Sequence, residues 1–308
     1  MARAAHGHAD DLLTASLLAT SAPVLFVPAM NDHMWAHPQT GRNVAHLREI
    51  GYRVLDPDDG PLAVGEGSGP GRMPEPDTIF AHVGRILEPE STLRGRRVLV
   101  TTGATREPVD PVRFISNHST GKMGAAIAAA AWRRGADVTL IAGHTDVPLP
   151  GGPRVIRADT TEAMAQSVAG EVGSADVLIM AAAPADFTVK SAAAGKMKRE
   201  GGTPTLDLVE TADILKAASA ARKKGSVVVG FALETGDAER RGEEKLRAKG
   251  LDMIVVNDQN EEGAGFGGDT NRVTLLSRDG KREELPLMLK TELAEALLDR
   301  IGAMLNGS

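Results

Sequence analysis

Apolar residues follow two textures along this chain, and the change falls near residue 97. Beyond it, short continuous runs of Val, Ile, Leu and Met predict strands at 98–101, 137–142, 155–157, 177–181, 227–232, 253–257 and 272–276. Runs of this kind, apolar without alternation, suit strands buried on both faces. Between them, helical spacing predicts helices at 121–134, 161–172, 212–221, 238–249 and 291–306. Repeated strand–helix alternation predicts an α/β fold, a mostly parallel sheet covered by helices and joined by right-handed crossovers. Ligands of such sheets bind beyond the carboxyl ends of the strands. The polar loops after Thr101, Ala181 and Phe231 fall at those ends.

The first ninety residues read differently. A helical pattern begins almost at once, and the run Pro23-Val24-Leu25-Phe26-Val27-Pro28 resembles a buried strand. A helix around 43–49, a short strand at 53–55 and a helix at 77–87 follow, with Gly and Pro marking a loop over 60–76. So few elements bury too little apolar surface for an independent domain. Residues 1–88 are therefore expected to be the C-terminal part of a larger domain or to depend on a partner. Residues 89–95 are polar and read as a linker, and 96–308 as the second domain.

Composition narrows the function. The chain has 308 residues, 42% hydrophobic and 25% charged, with a net charge of −6, so it carries no global nucleic-acid or membrane signature. An anionic substrate must then be met by a local cluster of cations. No apolar run approaches the ~20 residues of a membrane span, and no signal-peptide pattern is present. A cytoplasmic protein is expected. With no cysteine, the chain itself has no disulfide, thiolate metal site or thiol nucleophile.

The most informative stretch is the turn between the first strand and first helix of the second domain. It runs Gly103-Ala104-Thr105-Arg106-Glu107-Pro108-Val109-Asp110-Pro111-Val112-Arg113 and continues through Asn117, Ser119, Gly121, Lys122 and Gly124. Such a turn usually needs only a few residues. This one ends at a helix N-terminus, where unpaired N–H groups and the helix dipole favour an anion. Its extra length implies a bound group.

This stretch, with Ala181-Ala182-Ala183-Pro184-Ala185-Asp186-Phe187, Lys196-Met197-Lys198, Val229-Gly230-Phe231-Ala232-Leu233-Glu234-Thr235, Asn257-Asp258, Gly265-Phe266, Asp269 and Asn271, closely resembles phosphopantothenate–cysteine ligase. That enzyme is the second half of the bifunctional coenzyme A biosynthesis proteins, and the likeness covers about 95–300. It implies a Rossmann-like, mostly parallel sheet with flanking helices, a magnesium-dependent reaction with CTP, 4′-phosphopantothenate and L-cysteine, and a homodimer formed through this domain. CTP rather than ATP follows from the bacterial family pattern alone. The carboxylate of phosphopantothenate would attack the α-phosphate of CTP, and cysteine would then displace CMP from the acyl-cytidylate. By the same resemblance, Lys196 serves acyl-cytidylate formation and Asn117 the binding and turnover of that intermediate. Met180, Ala181, Ala182, Ala183, Asp186, Lys196, Ala212, Asp213, Ile214, Leu215 and Phe231 contact the nucleotide, and Lys245 and Lys249 hold its triphosphate. Lys245 and Lys249 lie four apart, on one helix face. No metal ligand is assigned. The segment 263–271 is expected to be a mobile loop near the site.

The N-terminal segment resembles the end of the flavodoxin-like, FMN-dependent decarboxylase half. It does so through Gly7, Ala9-Asp10-Asp11-Leu12, Pro28-Ala29-Met30-Asn31-Asp32-His33-Met34-Trp35 and Gly69-Pro70-Gly71-Arg72-Met73. Asn31 matches a substrate-binding asparagine. The family's early strands, which carry most flavin contacts and a catalytic histidine, are absent from this sequence. Ala63-Val64-Gly65 stands where the family has Ala-Cys-Gly, and Val64 has no proton to give. FMN is therefore not expected on this chain alone, and decarboxylation is expected to be weak or lost. His33 and His37 lie four apart without a third metal ligand.

Two rival readings remain. A nicotinamide-dependent dehydrogenase is opposed by the missing Gly-x-Gly-x-x-Gly turn and by a second strand ending Leu140-Ile141-Ala142-Gly143-His144, without an acid for the ribose. A non-catalytic regulatory subunit of the same family is opposed by the presence of Asn117, Lys196, Lys245 and Lys249.

Overall fold

The computed structural model describes residues 1–88, 90–198, 205–234, 237–258 and 267–307. The chain divides into two compact units, Met1–Leu87 and Glu88–Ser308.

The smaller unit contains helices Leu12–Ala19, Asp32–Ala36, Pro38–Glu49 and Pro76–Leu87 and a parallel pair of two-residue strands, Leu25–Phe26 with Arg53–Val54. Asp11 starts the first of these helices by accepting the Thr14 N–H at 2.8 Å. Phe26 packs edge-on against Tyr52, 5.5 Å between ring centroids, and Val44 and Leu47 are buried. Leu12, Leu13 and Phe80 remain exposed. The Gly/Pro-rich stretch expected to be a loop instead holds an antiparallel pair, Asp58–Pro61 with Ser68–Arg72. Main-chain pairing alone makes this hairpin, so its side chains carry no strand signal.

The larger unit is built on one eight-stranded sheet. In chain order its strands are β1 (Arg97–Thr102), β2 (Asp137–Ala142), β3 (Arg154–Arg157), β4 (Val177–Met180), β5 (Val227–Glu234), β6 (Met253–Asp258), β7 (Thr270–Ser277) and β8 (Arg282–Leu289). Across the sheet they lie in the order β8-β7-β6-β5-β4-β1-β2-β3. β1 to β6 are parallel, and β7 and β8 are antiparallel additions. From the adjacent pair β1 and β4 the chain winds outward in opposite directions, which opens a crevice at their carboxyl ends. β8 has no counterpart in the apolar pattern. Arg282, Glu283, Glu284 and Pro286 give it a surface composition, and among the described residues it pairs only with β7, at an edge where proline is tolerated.

Helices α1 (Lys122–Arg133), α2 (Thr161–Val172), α3 (Ile214–Ala221), α4 (Ala238–Ala248) and α5 (Lys290–Asn306) lie within two residues of the predicted spans. α2, α3 and α4 cover one sheet face through Met164, Val168, Ala218 and Leu246, which pack with Leu99, Leu178, Val228 and Ile254. α1 and α5 pack together on the other, where Ile127, Leu297 and Ile301 are fully buried. Each such side chain contributes about 1.5–3 kcal/mol by leaving water.

α1 reaches the end of β1 because position 124 has no side chain. A Cβ there would come within 2.5 Å of the Thr102 side chain and 2.7 Å of the Thr101 carbonyl oxygen. Gly124→Ala is therefore expected to destabilise the larger unit by about 1–3 kcal/mol through overpacking. Thermal unfolding measures this, and an unchanged melting temperature would contradict the close packing.

Candidate active site at the carboxyl edge of the sheet

Two adjoining cavities of about 470 and 350 Å³ open at the ends of β1, β4 and β5. Ala182, Pro184, Asp186, Phe231 and Lys245 line both.

The long turn after β1 is an antiparallel hairpin, Arg106–Pro108 with Phe114–Ser116. Its buried Glu107 accepts the Thr161 N–H and hydroxyl, each at 2.8 Å, and so roots the hairpin on the start of α2. The Arg106 guanidinium lies 4.4 Å over the Phe114 ring. The second strand leads directly into Asn117, whose amide nitrogen donates to the Pro184 carbonyl at 2.8 Å. Asn117 is thereby fixed between the β1 and β4 loops, and it lines the larger cavity.

Ser119 to Gly124 form the adjacent wall. Gly121 caps α1 with φ +76°, in the left-handed region, and supplies no side-chain cap. The Gly121 N–H donates to the Ser119 hydroxyl at 3.3 Å and the Lys122 N–H reaches that of Thr120 at 3.5 Å, and the positive end of the helix dipole behind them favours an anion.

Three lysines line the same cavity. Lys122 donates to Asp269 at 2.7 Å and to the Gly267 carbonyl at 3.0 Å. Lys290 is buried and donates to the Gly268 carbonyl at 2.6 Å. Burial, and then the charge of Lys122, push its pKa below the ordinary lysine value, against the pull of Asp269. Lys245 reaches back to the Phe231 carbonyl at 3.1 Å. Asn257 and Asn271 complete the wall, and each presents a buried Oδ1 without a hydrogen-bond partner.

The end of β4 offers a particular surface. The Ala182 N–H is committed to the Thr101 hydroxyl at 3.1 Å, and the Ala183 N–H to the Gly103 carbonyl at 2.8 Å. Ala181, Ala182 and Ala183 therefore present methyl groups and carbonyl oxygens to the cavity rather than those donors. Met180 is buried beside them and lines the smaller cavity.

Ala212, Asp213, Ile214, Leu215 and Lys249 also line the smaller cavity. Asp213 caps α3 by accepting the Lys216 N–H at 3.1 Å, and it pairs with Lys249. Burial raises its pKa, but those two partners outweigh the burial and hold it below the ordinary value.

Thus Asn117, Ala181 to Ala183, Asp186, Phe231 and Lys245 share the larger cavity, while Lys249 and the 212–215 stretch occupy the smaller one. Lys196 stands apart. It is exposed, lines neither cavity, and sits beside the tip of the Asn117 hairpin, where the Met197 N–H donates to Asp110 at 3.1 Å. Residues 263–266 of the expected loop lie outside the described residues. Lys290 was missed altogether, since a lysine opening a helix after a surface strand carries no signal of its own. Asn257, Asn271 and Lys122 were legible only as parts of motifs, without roles.

In the smaller unit, Asn31 caps helix Asp32–Ala36 by accepting the His33 N–H at 2.9 Å, and Val64 is fully exposed. His37 caps the next helix through Nδ1. Among the described residues, no group of three or more His, Cys, Asp or Glu is placed to hold a metal ion, and no helix is long and apolar enough to cross a membrane.

Comparison with known proteins agrees with this architecture. Residues 93–305 match the DNA/pantothenate metabolism flavoprotein C-terminal domain family, and residues 1–87 match the Flavoprotein family. The coenzyme A biosynthesis bifunctional protein CoaBC of Bacillus subtilis (strain 168) is 44% identical over 303 residues, spanning 97% of this chain and 74% of its own length. That of Mycobacterium tuberculosis (strain ATCC 25618 / H37Rv) is 46% identical over 322 aligned positions, spanning 100% and 77%. The crystal structure of the C-terminal domain of such a protein superposes with a TM-score of 0.61 at 36% identity, covering 71% of this chain and all of its own.

The carboxyls of Asp110, Asp176 and Asp213 share one balance. Burial pushes each upward; backbone N–H groups at Asp110, and first a lysine at Asp176 and Asp213, pull each below the ordinary aspartate value. A depressed folded pKa means stability that is complete above the unfolded value of about 3.9 and lost as pH falls through the folded one. The urea midpoint is expected to fall below about pH 4, and Asp176→Asn should flatten that fall. An identical acid slope in the variant would contradict the assignment.

Proposed function

The chain belongs to the family of coenzyme A biosynthesis bifunctional proteins, and we propose that its larger unit is a phosphopantothenate–cysteine ligase that uses CTP. One observation carries this reading. Asn117, the α1 N-terminus and Lys245 line one cavity that adjoins Asp213 and Lys249.

In the proposed reaction, a carboxylate oxygen of 4′-phosphopantothenate attacks the α-phosphorus of CTP. The bond to the bridging oxygen of the β-phosphate breaks, leaving an acyl-cytidylate and pyrophosphate. The L-cysteine amine then attacks the acyl carbon, CMP departs with the bonding pair, and the amine loses a proton. The first step joins two anions, so cations and N–H groups fixed in advance supply most of the catalysis. Lys122, Lys245, Lys290 and the start of α1 are such groups. The Asn117 amide can donate to an anhydride oxygen and accept from the incoming amine. Asp186, Phe231 and the 212–215 stretch fit the nucleotide's base and ribose, which need carbonyl acceptors and an aromatic face. Lys196 enters as a cation supplied to the bound substrates from beside the tip of the Asn117 hairpin.

Magnesium held with the nucleotide phosphates would find hard oxygen donors in Asn257 and Asn271, whose buried amide oxygens lack partners. It would supply further neutralisation of the departing pyrophosphate. The proposed homodimer forms through the larger unit, where Phe114 and Phe187 stand exposed, Phe187 on a strand Phe187–Val189 that pairs with Leu208–Glu210 and neighbours the Asn117 hairpin.

Family membership implies FMN in the decarboxylase half. The residues described here do not by themselves fit that cofactor. The strands Leu25–Phe26 and Arg53–Val54 have two residues each, and Val64 is exposed and has no acidic proton.

Pyrophosphate release is expected only when CTP, magnesium and 4′-phosphopantothenate are all present. Lys196→Gln should lower its single-turnover rate on the order of 100-fold. Lys245→Gln should raise KM for CTP about tenfold, a loss of about 1.4 kcal/mol of binding. Absence of CTP-dependent release would favour the regulatory-subunit reading instead.

A further inference from the structure

We propose that Asp110 is a positioning residue that ties the Lys196 segment to the hairpin carrying Asn117, so that ammonium and amide are held in one frame. This inference rests on the ligase reading above.

Asp110 lies in the tip of the hairpin Arg106–Pro108/Phe114–Ser116, whose second strand delivers Asn117. Its side chain is wholly excluded from solvent, while that of its ion-pair partner Arg113 is half exposed. One carboxylate oxygen, Oδ1, serves the tip itself and accepts the N–H groups of Val112 and Arg113, each at 2.8 Å. The other, Oδ2, accepts Nη1 of Arg113 at 2.7 Å and the Met197 N–H at 3.1 Å. Nη1 of Arg113 also donates to the Met197 carbonyl at 3.3 Å. The Met197 residue, next to Lys196, is thus pinned through both its N–H and its C=O. Four residues earlier, the Ala193 N–H donates to the Val109 carbonyl at 2.9 Å.

Residues 191–198 form neither helix nor strand, and Ala192-Ala193-Ala194-Gly195 has few side-chain atoms with which to pack. Main-chain bonds to the hairpin tip set the path of this segment. A buried carboxylate strongly penalises the loss of a donor, because an unsatisfied charge is left behind. Bonds to an ionised acceptor are also about twice as strong as neutral ones. Asp110 therefore favours the docked arrangement of Lys196 over the undocked one. The same hairpin is rooted at its other end through Glu107 and Thr161, so the frame extends from α2 through Asn117 to Lys196.

The test uses the full chain, single-turnover pyrophosphate release, and trypsin, which cuts after Lys196 and Lys198. Asp110→Asn should lower kcat about tenfold with KM for CTP within about twofold, and speed cleavage at these two sites about tenfold. Added to Lys196→Gln, it should lower the rate no further, because a residue that acts through Lys196 has nothing left to position. A full additional loss in the double variant, or unchanged tryptic cleavage, overturns the proposal. If Asp110→Asn does not fold, Met197→Pro removes the N–H donor and leaves the buried carboxylate in place; it should lower kcat likewise and speed cleavage after Lys198, the site left to read because trypsin does not cut a Lys–Pro bond. If Lys196→Gln alone leaves the rate within about twofold, the catalytic reading of Lys196 fails, and the tryptic result alone decides whether Asp110 holds the segment.

Discussion

The site depends on ammonium groups being held close together by main-chain carbonyl oxygens. Lys122 is fixed by Gly267, Lys290 by Gly268 and Lys245 by Phe231. A carbonyl orients a lysine without neutralising it. Lys122 also pairs with the Asp269 carboxylate. An acidic chain of net charge −6 thus keeps a positive wall at the carboxyl edge of its sheet. The cost is visible at Lys290, whose burial disfavours its own charge. A substrate anion placed between these groups relieves their mutual repulsion, so binding and activation draw on the same electrostatic source.

The fold brings these groups together from distant parts of the sequence. β1 and β4 are neighbours although about eighty residues separate them, and their ends supply the Asn117 hairpin and the Ala181–Asp186 turn. The antiparallel strands β6–β7–β8 then bring Asn257, Asn271 and the start of α5 to the same edge. A wholly parallel sheet would put the start of β7 at the opposite edge, so Asn271 reaches the site because β7 reverses, and β8, reversing again, delivers Lys290 at its carboxyl end.

Much of this was legible in the sequence for identifiable reasons. Strands buried on both faces, such as Val177–Met180, have continuous apolar runs, and α1 to α5 have amphipathic spacing, so both declare themselves locally. β8 and the hairpin Asp58–Pro61/Ser68–Arg72 do not, because backbone pairing makes them and their side chains face water or are missing. For the site, the motif around Asn117 located the hairpin, but pairing and rooting through Glu107 to Thr161 are long-range contacts. The alanines after β4 were legible as nucleotide contacts through the resemblance, and the structure shows that the N–H groups of Ala182 and Ala183 are already occupied. Lys196 carried the strongest resemblance, and Asp110 fixes its position beside the hairpin tip, outside both cavities.

The central claim is that this positive wall activates a carboxylate as a nucleotidyl ester before any amine arrives. Exchange of labelled pyrophosphate into CTP, measured with 4′-phosphopantothenate and magnesium but without cysteine, tests that step alone. The account predicts exchange that requires phosphopantothenate and stops when it is omitted. No exchange under those conditions, alongside full ligation once cysteine is added, would contradict it.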